Sequence, residues 1–253
     1  MDLKGIDITW LGHSTFLIRT PEGKTILVDP WLEGNPSCPE EFNEIEVDAI
    51  LMTHGHNDHI GDVFTAAERC SGPIVGIYDL TAWLATRGIA DTKLLGMNKG
   101  GTVVIDELDI AVSMTHAQHS SCFQDDDGTL HYLGEAAGFC IEFSNELVLY
   151  IAGDTCLFGD MEWIGELYHP DFAILPIGDH FTMDPQQAAL AADLTGVEAV
   201  IPCHYDTFPL LTGKPAELRK FLETYEVEAE VIELEVGKPH LGSWNPLKSL
   251  ETV

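Results

Sequence analysis

The chain has 253 residues, 45% hydrophobic and 9% aromatic, enough for one large domain or two small ones with a well-buried core. Twelve Lys and Arg against 42 Asp and Glu leave a formal charge of −30. Such a surface repels phosphate backbones and anionic headgroups, which argues against nucleic acid as a partner, and it suits a salt-rich cytoplasm where screening relieves self-repulsion.

Alternating hydrophobicity and turn residues divide the chain in order. IDITWLGHSTFLIRT and KTILVDPW read as a hairpin turning at PEGK. EVDAILMTH is a buried strand, DVFTAAERC a helix closed by Ser-Gly, PIVGIY a strand, and DLTAWLATRG a helix stopped by Gly88. GTVVIDELDIAVSMTHAQHS reads as a strand pair, AAGFCIEFSNELVLYIAGDT as a hairpin turning at SNE, and DFAILPIGD as a strand. DPQQAALAADLTG is a helix with Asp184 as N-cap, Pro185 at the first position and Gly196 as stop. EAVIPCHYD, PAELRKFLETY and EAEVIEL follow as strand, helix and strand. No linker divides the chain and no short repeat is evident, so a single domain over 1–253 with two sheets packed face to face and helices outside is expected. No segment is apolar for long enough to span a bilayer, and MDLKGIDITW lacks a basic stretch followed by an apolar run. A cytoplasmic location is therefore expected, with homo-oligomerisation left open.

The strand ends carry the chemistry. THGHNDHIGD packs His54, His56, Asp58 and His59 into six residues, directly after an apolar strand. Further strands stop near His116 and His119, at Asp154, at Asp179 and at His204. One histidine at a strand end is ordinarily a hydrogen-bonded surface residue; the whole set is not explained that way. In His-x-His-x-Asp-His the first two imidazoles can point one way and the Asp-His pair the other, so one loop can serve two cations. Imidazole with carboxylate suits Zn²⁺, Mn²⁺ or Fe²⁺ rather than Ca²⁺ or Mg²⁺. One loop cannot complete two coordination spheres, and His119, Asp154 and His204 are the candidates for the rest.

His54-x-His56-x-Asp58-His59, the GDT at 153–155 and the late His204 resemble the metallo-β-lactamase superfamily along nearly the whole chain. WLGHSTFLI, LVDPW, AQHS, IAGDT, PIGD and HYDTFP are similar, more narrowly, to the branch holding ascorbate-6-phosphate lactonase-like proteins and a set of metal-dependent hydrolases. The resemblance implies a four-layer αββα sandwich with the active site at one edge of the two sheets. It implies two divalent metal ions, Zn²⁺ foremost, one held by His54, His56 and His119 and the other by Asp58, His59 and His204, with Asp154 bridging. The family phrase A-x-H-S selects His119 over His116, which becomes a supporting or substrate-facing residue. Asp29 matches an aspartate that supports ligands rather than binding metal. His13, Asp179 and His180 are candidates to line the pocket, while His131, His169 and His240 read as ordinary surface histidines.

A two-metal centre holds a bridging hydroxide near neutral pH and polarises a carbonyl or phosphoryl oxygen. The expected function is hydrolysis of an ester, lactone or phosphodiester-like bond of a small molecule, with Asp58 and Asp154 as the catalytic carboxylates. Two alternatives share the scaffold: a persulfide dioxygenase-like oxidoreductase, against which the full second ligand set argues, and a non-catalytic metal-binding protein, against which the absence of any lost ligand argues.

Overall fold

The computed structural model describes residues 1–241. In chain order its elements are β1 (Asp7–Trp10), β2 (Phe16–Arg19), β3 (Thr25–Val28), β4 (Ala49–Leu51), α1 (Asn57–Ile60), α2 (Val63–Arg69), β5 (Ile74–Ile77), α3 (Tyr78–Thr86), β6 (Leu94–Met97), β7 (Thr102–Ile105), β8 (Ile110–His116), β9 (Cys122–Gln124), β10 (Leu130–Tyr132), β11 (Ala137–Phe143), β12 (Val148–Ile151), α4 (Met161–Tyr168), β13 (Phe172–Pro176), α5 (Pro185–Thr195), β14 (Ala199–Cys203), α6 (Pro215–Tyr225) and β15 (Glu230–Val231). No helix among the described residues is long and apolar enough to cross a membrane.

Most expected elements are present, and the differences have local causes. IDITWLGHSTFLIRT is two antiparallel strands, not one, because Gly12 (φ 93°) and His13 (φ 54°) turn the chain back so that Trp10 pairs with Phe16. The β9–β10 ladder escapes an alternation search because its strands are short and largely exposed around the Asp125–Asp127 tip. Helix α4 buries only Met161 and Ile164, one turn apart, so its apolar stripe is too short to read. The last strand pairs only through Glu230 and Val231, although its alternation runs further. Helix α5 matches its reading, with the Asp184 carboxylate accepting from Gln187 N at 2.7 Å, Pro185 in the first turn and Gly196 at φ 68°.

The chain forms two compact units. Among the described residues the first comprises Gly5–Gly96, Cys122–Gly134 and 234–241; the second comprises Met1–Lys4, Met97–Ser121 and Glu135–Glu233. The first unit carries a sheet of order β1-β2-β3-β4-β5-β6 and the β9–β10 ladder, the second a sheet of order β15-β14-β13-β12-β11-β8-β7. In the first, β1 and β2 then β2 and β3 are antiparallel, whereas β3, β4 and β5 are parallel, so β1, β3, β4 and β5 all end at one edge. In the second, β8, β12, β13 and β14 likewise all end at one edge. The strands β13 (FAILP) and β14 (AVIPC) are buried throughout, as expected of parallel strands covered on both faces.

Candidate metal centre

In the first unit, β1 runs into His13, β3 into Asp29, and β4 through Met52 and Thr53 into His54. Asp29 is buried and organises the edge. Its carboxylate accepts from Thr53 N and from Thr53 Oγ1, both at 2.7 Å, and lies 2.7 Å from His59 Nδ1. A buried carboxylate on Nδ1 fixes the proton there and turns Nε2 of His59 outward as a lone pair. Thr53 Oγ1 in turn lies 3.0 Å from His54 Nδ1, so the same logic leaves His54 Nε2 as the outward nitrogen. That nitrogen sits 2.9 Å from His56 Nδ1. The rings of His54 and His59 are 4.0 Å apart between centroids, those of His54 and His56 4.6 Å. Asp58 Oδ2 is 3.2 Å from the buried His13 Nε2, and His13, Asp58 and His59 offer ligand atoms within 4.8 Å of one another.

The helix α1 is a single turn starting just after His56, so Asp58 and His59 follow the His54–His56 pair without a break, and His59 lies as close to His54 as His56 does. Gly55 fits between them because a Cβ there would press to 2.8 Å from Leu133 Cδ1. Asn57, between the ligand-type residues, has another task. Its amide donates to Gln124 O at 2.8 Å and accepts from Gln124 N at 2.9 Å, mimicking a strand partner for β9.

In the second unit, β8 leads to His119, β12 to Asp154, β13 to Asp179 and β14 to His204. One carboxylate oxygen, Asp154 Oδ2, lies 3.1 Å from His204 Nε2 and 3.5 Å from His119 Nε2. Asp154 and His204 are buried, and His119 is half-buried. The Gln118 amide beside His119 donates to Thr155 Oγ1 at 3.0 Å, tying the AQHS loop to the GDT loop. Gly178 lets the end of β13 pass His204, since any Cβ would collide with the His204 carbonyl oxygen. Asp179 and His180 lie exposed on the same edge, and the Asp179 N–H is spent on a turn to Met183 O. His116 is half-buried at the end of β8.

Backbone strain marks the same places. His13 (φ 54°), Asp29 (φ 49°), Asp179 (φ 66°), His180 (φ 57°) and His204 (φ 55°) all adopt the left-handed region at strand ends. Non-glycine residues enter that region at a cost and concentrate at functional sites.

The donor chemistry fits divalent cations. Two imidazole nitrogens 2.9 Å apart, and a carboxylate oxygen 3.1 Å from a third, match the spacing of neighbouring ligands around one cation, about 3 Å for metal–nitrogen distances near 2.0–2.1 Å. Outward Nε2 atoms backed by Asp29 or by Thr53 are the form in which histidine ligates. Sequence reasoning missed Thr53, Thr155 and the tie made by Asn57, because a hydroxyl or amide one residue from a ligand has no signature of its own.

Comparison with known proteins agrees. Residues 24–205 match the beta-lactamase superfamily domain. The chain is 52% identical over 228 residues to a UPF0173 metal-dependent hydrolase of Koribacter versatilis, covering 90% of this chain and 96% of the relative. It is 47% identical over 235 residues to a UPF0173 metal-dependent hydrolase of Roseiflexus, covering 91% and 95%. Among solved structures it resembles Igni18, a metallo hydrolase from Ignicoccus hospitalis, with 35% identity, a TM-score of 0.80, and coverage of 92% of this chain and 97% of that one. The α/β fold is thus the metallo-β-lactamase fold, and this chain belongs to the metal-dependent hydrolases of that superfamily.

Proposed function

We propose that the chain is a binuclear hydrolase of small-molecule esters, lactones or phosphodiester-like bonds, its two units acting as one functional domain. His54, His56 and His119 would hold one cation, and Asp58, His59 and His204 the other, with Asp154 between them. Zn²⁺ is the first choice, and Mn²⁺ or Fe²⁺ also suit the donors. Bound there, two divalent cations supply an acidified water and Lewis-acid polarisation of the scissile group. The observation that carries the reading is Asp154 Oδ2, turned to both His119 and His204. A carboxylate oxygen shared between imidazoles assigned to different cations is what a bridging ligand requires.

The chain's own residues then divide the work. Asp29 and Thr53 hold His59 and His54 in ligating tautomers. Asp58, with a third of its side chain exposed and His13 behind it at 3.2 Å, is the group suited to pass a proton to the leaving atom. Asp29 and Asp154, both buried, are kept away from bulk water, which strengthens the interactions they make.

The test is elemental analysis of the purified, reconstituted protein followed by a panel of small esters, lactones and phosphodiesters. About two divalent cations per chain and turnover of at least one ester class are expected. One cation or none, or two cations without hydrolysis of any member, would overturn the reading.

A further inference from the structure

The edge that carries His119, Asp154 and His204 also carries a lysine. Lys99 lies in the turn before β7, and that turn is pinned to β8 by Gly100 N to Met114 O at 2.8 Å and Met114 N to Gly101 O at 3.0 Å. Its ammonium lies 3.1 Å from His116 Nδ1 and 2.8 Å from Glu135 Oε2. His116 ends β8, three residues before His119, and Glu135 stands just ahead of β11, so all three groups sit on the ligand edge of the second unit. The Lys99 side chain is only 17% exposed, while that of Glu135 is 68% exposed.

This arrangement differs from an ordinary surface ion pair. Burial, and then the positive Lys99, push His116 below the usual histidine range, so its ring is neutral and Nδ1 accepts from the ammonium. The Phe158 ring meets His116 edge-on at 5.1 Å between centroids and holds it in place. A covered lysine with a fixed neutral acceptor behind it is a positioned cation, not a waving one. Two of its three N–H groups are used, and the third has no partner among the described residues. The exposed Glu135 arm contributes little to stability, because a solvent-facing ion pair is weak. An incoming anion can take its place on Lys99 at low cost.

We infer that Lys99, backed by His116 and gated by Glu135, binds a carboxylate on the substrate, which makes the preferred substrate of the hydrolase an ester or lactone bearing a second, free carboxylate. A carboxylate fits better than a phosphate because the edge offers one covered cation. Arg69, Arg87 and Arg219 are engaged with Glu44, Asp125 and Glu233, and Arg19 closes β2 at the opposite edge of the other unit's sheet. Lys214 is exposed and paired with Asp206. A dianion would lack the second charge and the planar donors that phosphate sites use.

The inference rests on the hydrolase reading, and binding separates the two. Metal-loaded full-length protein is titrated calorimetrically with acetate, succinate and glutarate at fixed ionic strength, with metal content measured on the same samples. Acetate, with one carboxylate, gives the reference affinity for a single contact. At least one dicarboxylate should bind about tenfold or more tightly than acetate. Lys99→Met should reduce that preference to within about twofold, and Glu135→Gln should enlarge it a few-fold by removing the competitor, a change of sign that a structural role would not give. The surface control Lys220→Met should leave it unchanged. A wild-type protein with full metal and no preference, or a Lys99→Met variant that keeps the preference, would overturn the carboxylate site and leave the hydrolase reading standing. Failure to hold metal would overturn both.

Discussion

The two units repeat one strand arrangement residue for residue. In the first, Phe16 pairs with Val28 and Ile26 with Ala49; in the second, Phe139 pairs with Ile151 and Leu149 with Phe172. The outer strands agree too, Trp10 facing Phe16 as Met114 faces Phe139. The hairpin turns are closed alike, by Thr20 N to Lys24 O and Gly23 N to Thr20 O in one, and by Phe143 N to Leu147 O and Glu146 N to Phe143 O in the other. What differs is the chemistry hung on the strand ends. The first unit concentrates four ligand-type residues in one loop and braces them with a buried carboxylate, Asp29. The second spreads three over three loops that meet at Asp154 Oδ2. The same scaffold thus carries a locally encoded half and a half that exists only once the sheet has formed.

The sharpest test of the contrast, and the largest effect, lies in the residues proposed as ligands. Asp154→Ala removes the point where the dispersed half converges, and His56→Ala removes one member of the local cluster. Each should lower kcat/KM on whichever panel ester is turned over by on the order of a thousandfold or more, the upper range for losing a charge-stabilising group. Asp154→Ala should also lose metal, since His119 and His204 then have no shared oxygen. His169→Ala, at the end of α4, should stay within about twofold. Near-normal turnover in Asp154→Ala with two cations still bound would overturn the bridging role proposed for Asp154.

Next come the braces. Asp29→Asn keeps an acceptor for Thr53 but sets an amide against His59 Nδ1, so metal affinity should weaken about 10- to 100-fold, as for other buried partners of ligating histidines. In the second unit the matching support is neutral, Thr155 Oγ1 receiving Gln118 N. Thr155→Val should cost less, about threefold, because one net hydrogen bond is worth about 1 kcal/mol. Competition with a chelator of known affinity measures both. Equal losses would mean that the carboxylate brace in the first unit gives no special advantage.

The contrast also decides what the sequence could reveal. The HGHNDH loop was legible because its residues are neighbours in the chain, and the strand-end rule then pointed to His119, Asp154 and His204. The choice of His119 over His116 came from resemblance, and no spacing argument makes it. Strand pairs followed by alternating strands and helices can be read once in each half of the sequence, but the shared register cannot. Register depends on which backbone groups pair, and Leu17 and Cys140, or Arg19 and Glu142, share a place without sharing chemistry. Lys99 was equally silent, being an isolated lysine whose partners His116 and Glu135 lie 17 and 36 residues away.

A smaller effect separates the ligand loop from what it carries. Asn57 grips Gln124 by both backbone groups, so Asn57→Ala should loosen β9 and β10 by about 1–2 kcal/mol while leaving the metals in place. Hydrogen exchange should then quicken about tenfold for amides of residues 122–132 and not for β11. Unchanged exchange, or loss of metal with it, would show that Asn57 is not a strap between loop and hairpin.

The smallest expected effect concerns the opposite edge, where the two units are most alike. Asp48 enters β4 by giving its N–H to Thr25 O at 2.9 Å and accepting Thr25 N at 2.9 Å; Asp171 enters β13 by the same exchange with Val148, at 2.9 and 2.7 Å. Only Asp48 gains more, from Lys24 Nζ at 3.0 Å and Thr25 Oγ1 at 3.1 Å. Burial acts to raise its pKa, but the Thr25 and Lys24 contacts outweigh it and hold the carboxyl below 3.8. A native value below the unfolded one means that ionised Asp48 stabilises the fold above the unfolded pKa, and that this contribution fades as pH falls through the lowered native value. Because Lys24 is largely solvated, the charge adds no more than about 1 kcal/mol. Asp48→Asn should therefore melt a few degrees below wild type at pH 7, and the gap should narrow as pH drops below about 3.8. Melting curves of apo protein, with chelator present so that metal release does not intrude, give the comparison. A gap independent of pH would assign the whole effect to shape and hydrogen-bond count, and would make the Asp48 clamp no different in kind from its counterpart at Asp171.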